Sequence, residues 1–256
     1  MRKFLFLSIG LALLLPAAPV IADSKKLPPL PKIGIEGSDN RIRVDSTAWP
    51  WIAIGRINRE VGGHCTGTLI APDLVLTAAH CLYNSSDGRW TVPFEVHFVA
   101  GYDRGSFAAH ARGKTFTRDP GYNPKKATSV GEMARDWAIV ELDRKLPLRP
   151  VPLTTSKGDI VARQKSEEVS AAGYNGDWSE ILMRDAGCPL EGVLEGRPLI
   201  IHRCDTTFGA SGGPLLLIDG DKVEIVGVLS GVLQLKDKSE RGAAVPAWSI
   251  SPALPR

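Results

Sequence analysis

The chain has 256 residues, 43% of them hydrophobic and 23% charged, with a formal net charge of +3. That length holds one large core or two small ones. The charge is small, and no cluster of Lys and Arg interleaves with aromatic residues, so composition argues against a nucleic-acid or membrane-surface partner.

Arg2 and Lys3 open the chain, and Phe4 to Leu15 is apolar. Small residues then set up a cut after Ala22, so residues 1–22 are expected to be a secretory signal peptide. The alternative is a membrane anchor, but the apolar run falls short of the ~20 residues a spanning helix needs. No other stretch is long and apolar enough. After signal cleavage the protein is therefore expected to leave the membrane and to be secreted or periplasmic. Cleavage removes Arg2 and Lys3 and no acid, which takes the charge from +3 to +1. Residues 23–45 are rich in Pro, Lys and Gly and read as a linker or propeptide without a core.

From Trp51 onward short apolar runs recur between turn residues. They are Ile52–Ile57, Thr66–Ile70, Leu74–Thr77, Phe94–Ala100, Trp137–Leu142, Val169–Gly173, Leu199–His202, Pro214–Ile218, Val223–Leu229 and Ala243–Ala247. Ala71-Pro72-Asp73 and Asp219-Gly220-Asp221 are hairpin turn signals. No long stretch has helical periodicity. The pattern predicts an all-β chain, a barrel or a sandwich.

There are four cysteines, Cys65, Cys81, Cys188 and Cys204. An even number in an exported chain argues for disulfides, and three pairings are possible. A zinc site is the alternative, but no C-x-x-C or H-x-x-x-H spacing exists, so neither metal nor cofactor is expected.

Ser211 lies in Gly209-Ala210-Ser211-Gly212-Gly213-Pro214. Small neighbours let a substrate backbone approach and let the N–H groups of Gly209 and Ser211 converge as an oxyanion hole. The segment also fits G-x-S-x-G, the nucleophile elbow of α/β-hydrolases. That fold needs a histidine after the serine, and His64, His80, His97, His110 and His202 all precede it. The order His80, Asp136, Ser211 is that of the chymotrypsin-type triad. His80 follows Thr77-Ala78-Ala79, where small residues leave room for a ring, and Asp136 opens an apolar strand. Asp103 and Asp143 are less well placed, and His64, His97 and His202 read as structural.

With Gly63-His64-Cys65-Thr66-Gly67, Leu76-Thr77-Ala78-Ala79-His80-Cys81 and Asp136-Trp137-Ala138-Ile139-Val140, these motifs make the chain resemble the chymotrypsin-like serine endopeptidases from about Trp49 to Trp248. The serine loop looks closest to the bacterial glutamyl-endopeptidase-like branch. The resemblance implies two antiparallel six-stranded β-barrels, expected at 46–146 and 147–256, with the site in the cleft between them. It implies a monomer acting on protein or peptide substrates through an acyl-enzyme. The alternative is a catalytically silent binding protein on the same fold. The expected disulfides are Cys65–Cys81 and Cys188–Cys204, each bracing one half of the site.

Ala210 stands where the animal digestive enzymes carry the Asp of their activation switch, and no Ile-Val-Gly-Gly start appears near Trp49. That switch is therefore not expected, nor is a long C-terminal helix. For specificity, Asp205 falls six residues before Ser211, where trypsin-like members bind Arg or Lys. The competing reading is that Asp205 braces its loop and the pocket takes small or apolar side chains. Thr206, Leu229, Ser230 and Val232 are expected to wall the pocket. Leu229 replaces the histidine that the glutamate-preferring members use, and Val232 is expected to narrow the entrance.

Overall fold

The computed structural model describes residues 33–155 and 157–254; the expected signal peptide lies outside them. Among the described residues sixteen strands follow in order, with helical elements no longer than four residues. After β1 (Ile42–Arg43) come β2 (Ile54–Arg59), β3 (His64–Ala71) and β4 (Leu74–Thr77), then a small hairpin, β5 (Tyr83–Asn84) and β6 (Arg89–Trp90). β7 (Val96–Ala100), β8 (Ala109–Arg118) and β9 (Ala138–Leu142) complete a closed six-stranded barrel in the order β2-β3-β4-β9-β8-β7. Alternation along these strands turns Ile57, Leu69, Val75, Phe98 and Val140 inward, where none is exposed. All its ladders are antiparallel.

The second half contributes β10 (Glu168–Gly173), β11 (Met183–Ala186), β12 (Leu190–Val193), β13 (Ile200–His202), β14 (Pro214–Asp219), β15 (Lys222–Gln234) and β16 (Glu240–Pro246). With β1 they form one eight-stranded sheet, β1-β11-β10-β14-β15-β16-β13-β12, where six strands were expected. The bulged pairing of β15 with β14 and with β16 bends this sheet around its own core. Leu216, Ile225, Val228 and Val245 of the second half join the apolar cluster of the barrel, so one continuous core fixes the two halves together. The chain crosses between them where Val151 N–H bonds Leu69 O at 2.9 Å and Thr154 N–H bonds Ile225 O at 2.9 Å.

The N-terminal segment departs from the expectation of a coreless linker. From Gly34 it lies along the second sheet. Gly34 N–H donates to Glu240, and Gly34 O accepts from Thr206 N–H at 3.0 Å. Only glycine fits there: φ is +88°, and a Cβ would stand 2.1 Å from Thr206 O. Arg41 is buried, and its guanidinium bonds Asp39 at 2.7 Å and Asp177 at 2.6 Å. β1 then pairs with β11, Ile42 opposite Arg184. The chain's last helical elements are Ala247–Ile250 and Ser251–Ala253.

Candidate active site

His80 sits in a 3-10 turn, Ala79–Leu82, whose other residues are buried. The turn follows β4, so the ring emerges at the barrel rim. Asp136 lies just before β9, the partner of β4, with Thr77 opposite Ala138. That pairing brings residues 56 apart in sequence into contact. Asp136 Oδ1 accepts from His80 N–H at 2.8 Å, and Oδ2 lies 2.6 Å from His80 Nδ1. Ser230 Oγ–H donates to the same Oδ2 at 2.7 Å. The Asp136 carboxylate is 1% exposed, whereas the His80 side chain is 29% exposed. The acid is dry and the ring reaches solvent. Burial opposes a charge on His80, but the Asp136 carboxylate beside it wins and raises the ring's pKa above 6.5.

Ser211 enters from the loop between β13 and β14. β3 of the barrel holds that loop: Thr66 N–H donates to Ser211 O at 2.9 Å, and Thr66 Oγ–H donates to Gly209 O at 2.9 Å. Cys81 Sγ touches both partners, 3.6 Å from Ser211 O and 3.8 Å from His80 Nε2. The loop takes its shape from two glycines. Gly209 has φ +93° and Gly212 has φ +79°, where added Cβ atoms would strike His64 Nε2 and Thr77 Oγ. The N–H groups of Ala210, Gly212 and Gly213 bond backbone carbonyls of Thr207, Leu229 and Ala210. Among the described residues no acceptor takes the N–H groups of Gly209 and Ser211. Two backbone donors beside the serine are thus left for a ligand oxygen.

His80, Asp136, Gly209 and Ser211 line one cleft of about 660 Å³, together with Thr206, Leu229, Ser230 and Val232. Ser230 does more than form a wall, since its hydroxyl is spent on Asp136. Cys65–Cys81 and Cys188–Cys204 are bonded, with S–S distances of 2.09 and 2.06 Å. Each closes a loop of sixteen residues, worth ~3 kcal/mol in the chain-entropy model.

Asp205 is the correction. It is absent from the cleft and 3% exposed. Its carboxylate accepts from Glu36 N–H at 3.2 Å, Asn40 N–H at 2.9 Å and Asn40 Nδ2–H at 3.1 Å. The acid turns away from the cleft because the N-terminal segment offers it three donors. It cannot bind an Arg or Lys of the substrate, and the loop-bracing reading fits instead. Asp205→Ala is expected to cost about 1–3 kcal/mol through the orphaned donors and to speed hydrogen exchange at Glu36 and Asn40. Urea unfolding and exchange measure both, while the residue preference at the cleavage site stays as in wild type.

Two histidines read as structural in the sequence also line the cleft. His64 Nε2–H donates to Tyr174 O at 3.0 Å, which leaves it a brace of the serine loop. His202 is buried at the end of β13 and has no such partner at Nε2 among the described residues.

A closed antiparallel barrel joined to a second β-sheet, with His80, Asp136 and Ser211 lining the cleft, defines the chymotrypsin-like serine protease class. The trypsin family model matches residues 40–189, and the chain belongs to that family. Glutamyl endopeptidase of Bacillus licheniformis is 49% identical over 55 residues, covering 21% of this chain and 17% of that protein. The fold is similar to that of a solved Glu endopeptidase, with a TM-score of 0.65, 22% identity, and 86% of this chain and 96% of that chain covered. It is also similar to Vibrio cholerae VesB protease, with a TM-score of 0.62, 20% identity, and 84% and 65% covered. The chain spans less than a third of the length of the curated relatives it matches.

Proposed function

We propose that the protein is an exported serine endopeptidase that hydrolyses peptide bonds through an acyl-enzyme on Ser211. The observation that carries this reading is the single cleft that joins His80, paired with a dry Asp136, to Ser211 and to two unspent backbone donors. Asp136 fixes the proton of His80 on Nδ1 and leaves Nε2 as the base. Nε2 takes the Ser211 hydroxyl proton as Oγ attacks the scissile carbonyl. The N–H groups of Gly209 and Ser211 hold the oxyanion that forms. His80 then gives its proton to the leaving amine, and water attacks the ester by the same route in reverse. The catalytic base and acid belong to the barrel half, 46–146, and the nucleophile to the half at 147–256. The protein acts as a monomer on protein or peptide substrates. Covalent labelling by a fluorophosphonate, blocked by Ser211→Ala, tests the reading; an unlabelled wild type would leave a silent binding protein instead.

The pH dependence has a defined sign. Only the neutral ring accepts the serine proton, so kcat/KM is expected to drop about tenfold per pH unit below the His80 pKa. Asp136 has raised that pKa, so the acid limb sits above the 6.5 of an unperturbed imidazole. A profile whose limb falls clearly below 6.5 would remove the ion-pair account of His80.

A further inference from the structure

We infer that Arg59 is a specificity residue of this cleft, and that its guanidinium receives the carboxylate of an aspartate or glutamate lying just after the scissile bond, in the part of the substrate that leaves as the amine. The inference rests on the serine endopeptidase reading above.

Arg59 is the last residue of β2 and pairs with Val96 of β7. Its Nη1–H donates to Tyr83 O at 2.9 Å. A Cβ on Gly63 would stand 2.7 Å from Nη2, so the bare backbone at 63 makes the room for that nitrogen. Gly63 is itself exposed, so Nη2 lies beside exposed backbone. Tyr83 follows His80 by three residues, and Arg59 lines the same cleft as His80 and Ser211. Its positive charge is close enough to oppose protonation of His80.

The other partly buried arginines are matched by acids. Arg41 takes Asp39 and Asp177, Arg163 takes Glu167 and Glu224, and Arg241 takes Glu36 and Glu191. Arg59 has no ion pair among the described residues, and its Nε and Nη2 have no acceptor there. The adjacent acid, Glu60, is engaged by His97 and Arg112. Burial draws the Arg59 pKa below the usual arginine value, with no carboxylate pulling back. The guanidinium stays charged all the same, and a partly buried cation costs free energy until an anion meets it. The other charged residue in the cleft lining is Asp136, whose oxygens are spent on His80 and Ser230. With His80 neutral, the cleft carries one unbalanced positive charge.

The place of that charge selects the half of the substrate it meets. The oxyanion donors and the walls Thr206, Leu229 and Val232 receive the acyl half, and all belong to the second half of the chain. The leaving amine turns to His80 Nε2. Cys81 Sγ is 3.8 Å from that atom, and the Cys65–Cys81 bridge, Tyr83 and Arg59 continue the cleft along the barrel half. A carboxylate arriving there finds Nε–H and Nη2–H side by side, the pair that Arg41 already offers to Asp39 at 2.9 and 2.7 Å. Glutamine has the shape of glutamate but one acceptor oxygen and no charge, and lysine brings a like charge. Side chains alternate along an extended strand, so only one of the first two positions after the scissile bond points at Arg59.

The test is a panel of amidated reporter peptides, identical up to the scissile bond, with Glu, Asp, Gln, Ala or Lys at the first or the second position after it. At one of those positions wild type is expected to cleave the Glu or Asp peptide about tenfold faster in kcat/KM than the Gln peptide. Arg59→Met should bring that ratio close to one, Arg59→Lys should keep part of it, and Arg59→Glu should favour the Lys peptide instead. Calorimetry of the same peptides on Ser211→Ala reads the preference without turnover. It therefore separates failure of this inference from failure of the Ser211 assignment, and it decides alone if no peptide is cleaved. Should Arg59→Met not fold, the wild-type panel and Arg59→Lys decide. Equal handling of Glu, Gln and Lys at both positions overturns the inference. So does an acidic preference that survives unchanged in Arg59→Met.

Discussion

Ser211→Ala is expected to lower turnover about a million-fold while leaving the fold intact. The first half of that expectation is chemical. Alanine has no atom that can be acylated, and His80 cannot activate what is missing. What remains is the oxyanion donors at positions 209 and 211, which belong to the backbone and survive the change. They should sustain the residual ~10³–10⁴ over water that such sites keep. The second half is structural. The contacts that hold the loop run through backbone atoms: Thr66 N–H to Ser211 O, and Gly212 N–H to Leu229 O. Loss of one half-buried hydroxyl with no structural bond should move stability by no more than ~0.5 kcal/mol. Turnover of a peptide reporter and a urea unfolding curve check the two halves. A variant that keeps wild-type turnover removes Ser211 as nucleophile. A wild type no faster than the variant makes the chain a silent member of its family.

The sequence was most legible where chemistry demands fixed residue types. His80 and Ser211 could be picked out because small residues flank each, Asp136 because it opens an apolar strand, and their order excludes the elbow fold. The ten apolar runs correspond to strands, since alternation or a continuous apolar run marks a buried strand directly. β8 went unread for a physical reason. In Ala109–Arg118 the residues facing the core are Ala111 and Gly113, small enough to carry no apolar signal among charged neighbours. β1 was hidden by composition, because a Pro- and Gly-rich stretch gives no hint that Arg41 will be buried between two aspartates. Asp205 shows the limit of counting along a chain. Its offset from Ser211 suited a pocket base, but the side chain follows the nearest donors, and those come from residues 36 and 40. His202 failed in the opposite direction. Two residues before a cysteine it reads as packing, and only the glycine opposite it, 40 residues later, shows how the ring comes to line the cleft. Ser230 was read only as a wall of the pocket, because its bond to Asp136 is a tertiary fact.

Asp136→Asn is expected to cost about 10⁴ in turnover at neutral pH, without unfolding the protein. Each contact of the carboxylate is one in which it accepts: Oδ1 from His80 N–H, Oδ2 from His80 Nδ1–H and from Ser230 Oγ–H. Asparagine has the same shape but only one acceptor oxygen. If its oxygen stays with His80 N–H, its NH₂ faces Nδ1 and the ring must move its proton to Nε2. That tautomer has no lone pair left for the Ser211 hydroxyl. If the amide flips, two N–H groups confront each other at the His80 backbone. Either arrangement disables the base with no change in volume, so a melting curve should register a modest loss and the activity assay a large one. The pH profile supplies a readout that misfolding cannot imitate. The carboxylate is what raises the His80 pKa against burial, so in Asp136→Asn the acid limb of the residual activity should move to lower pH. A variant within tenfold of wild type, with its acid limb unmoved, would show that Asp136 neither orients His80 nor stabilises its charged form.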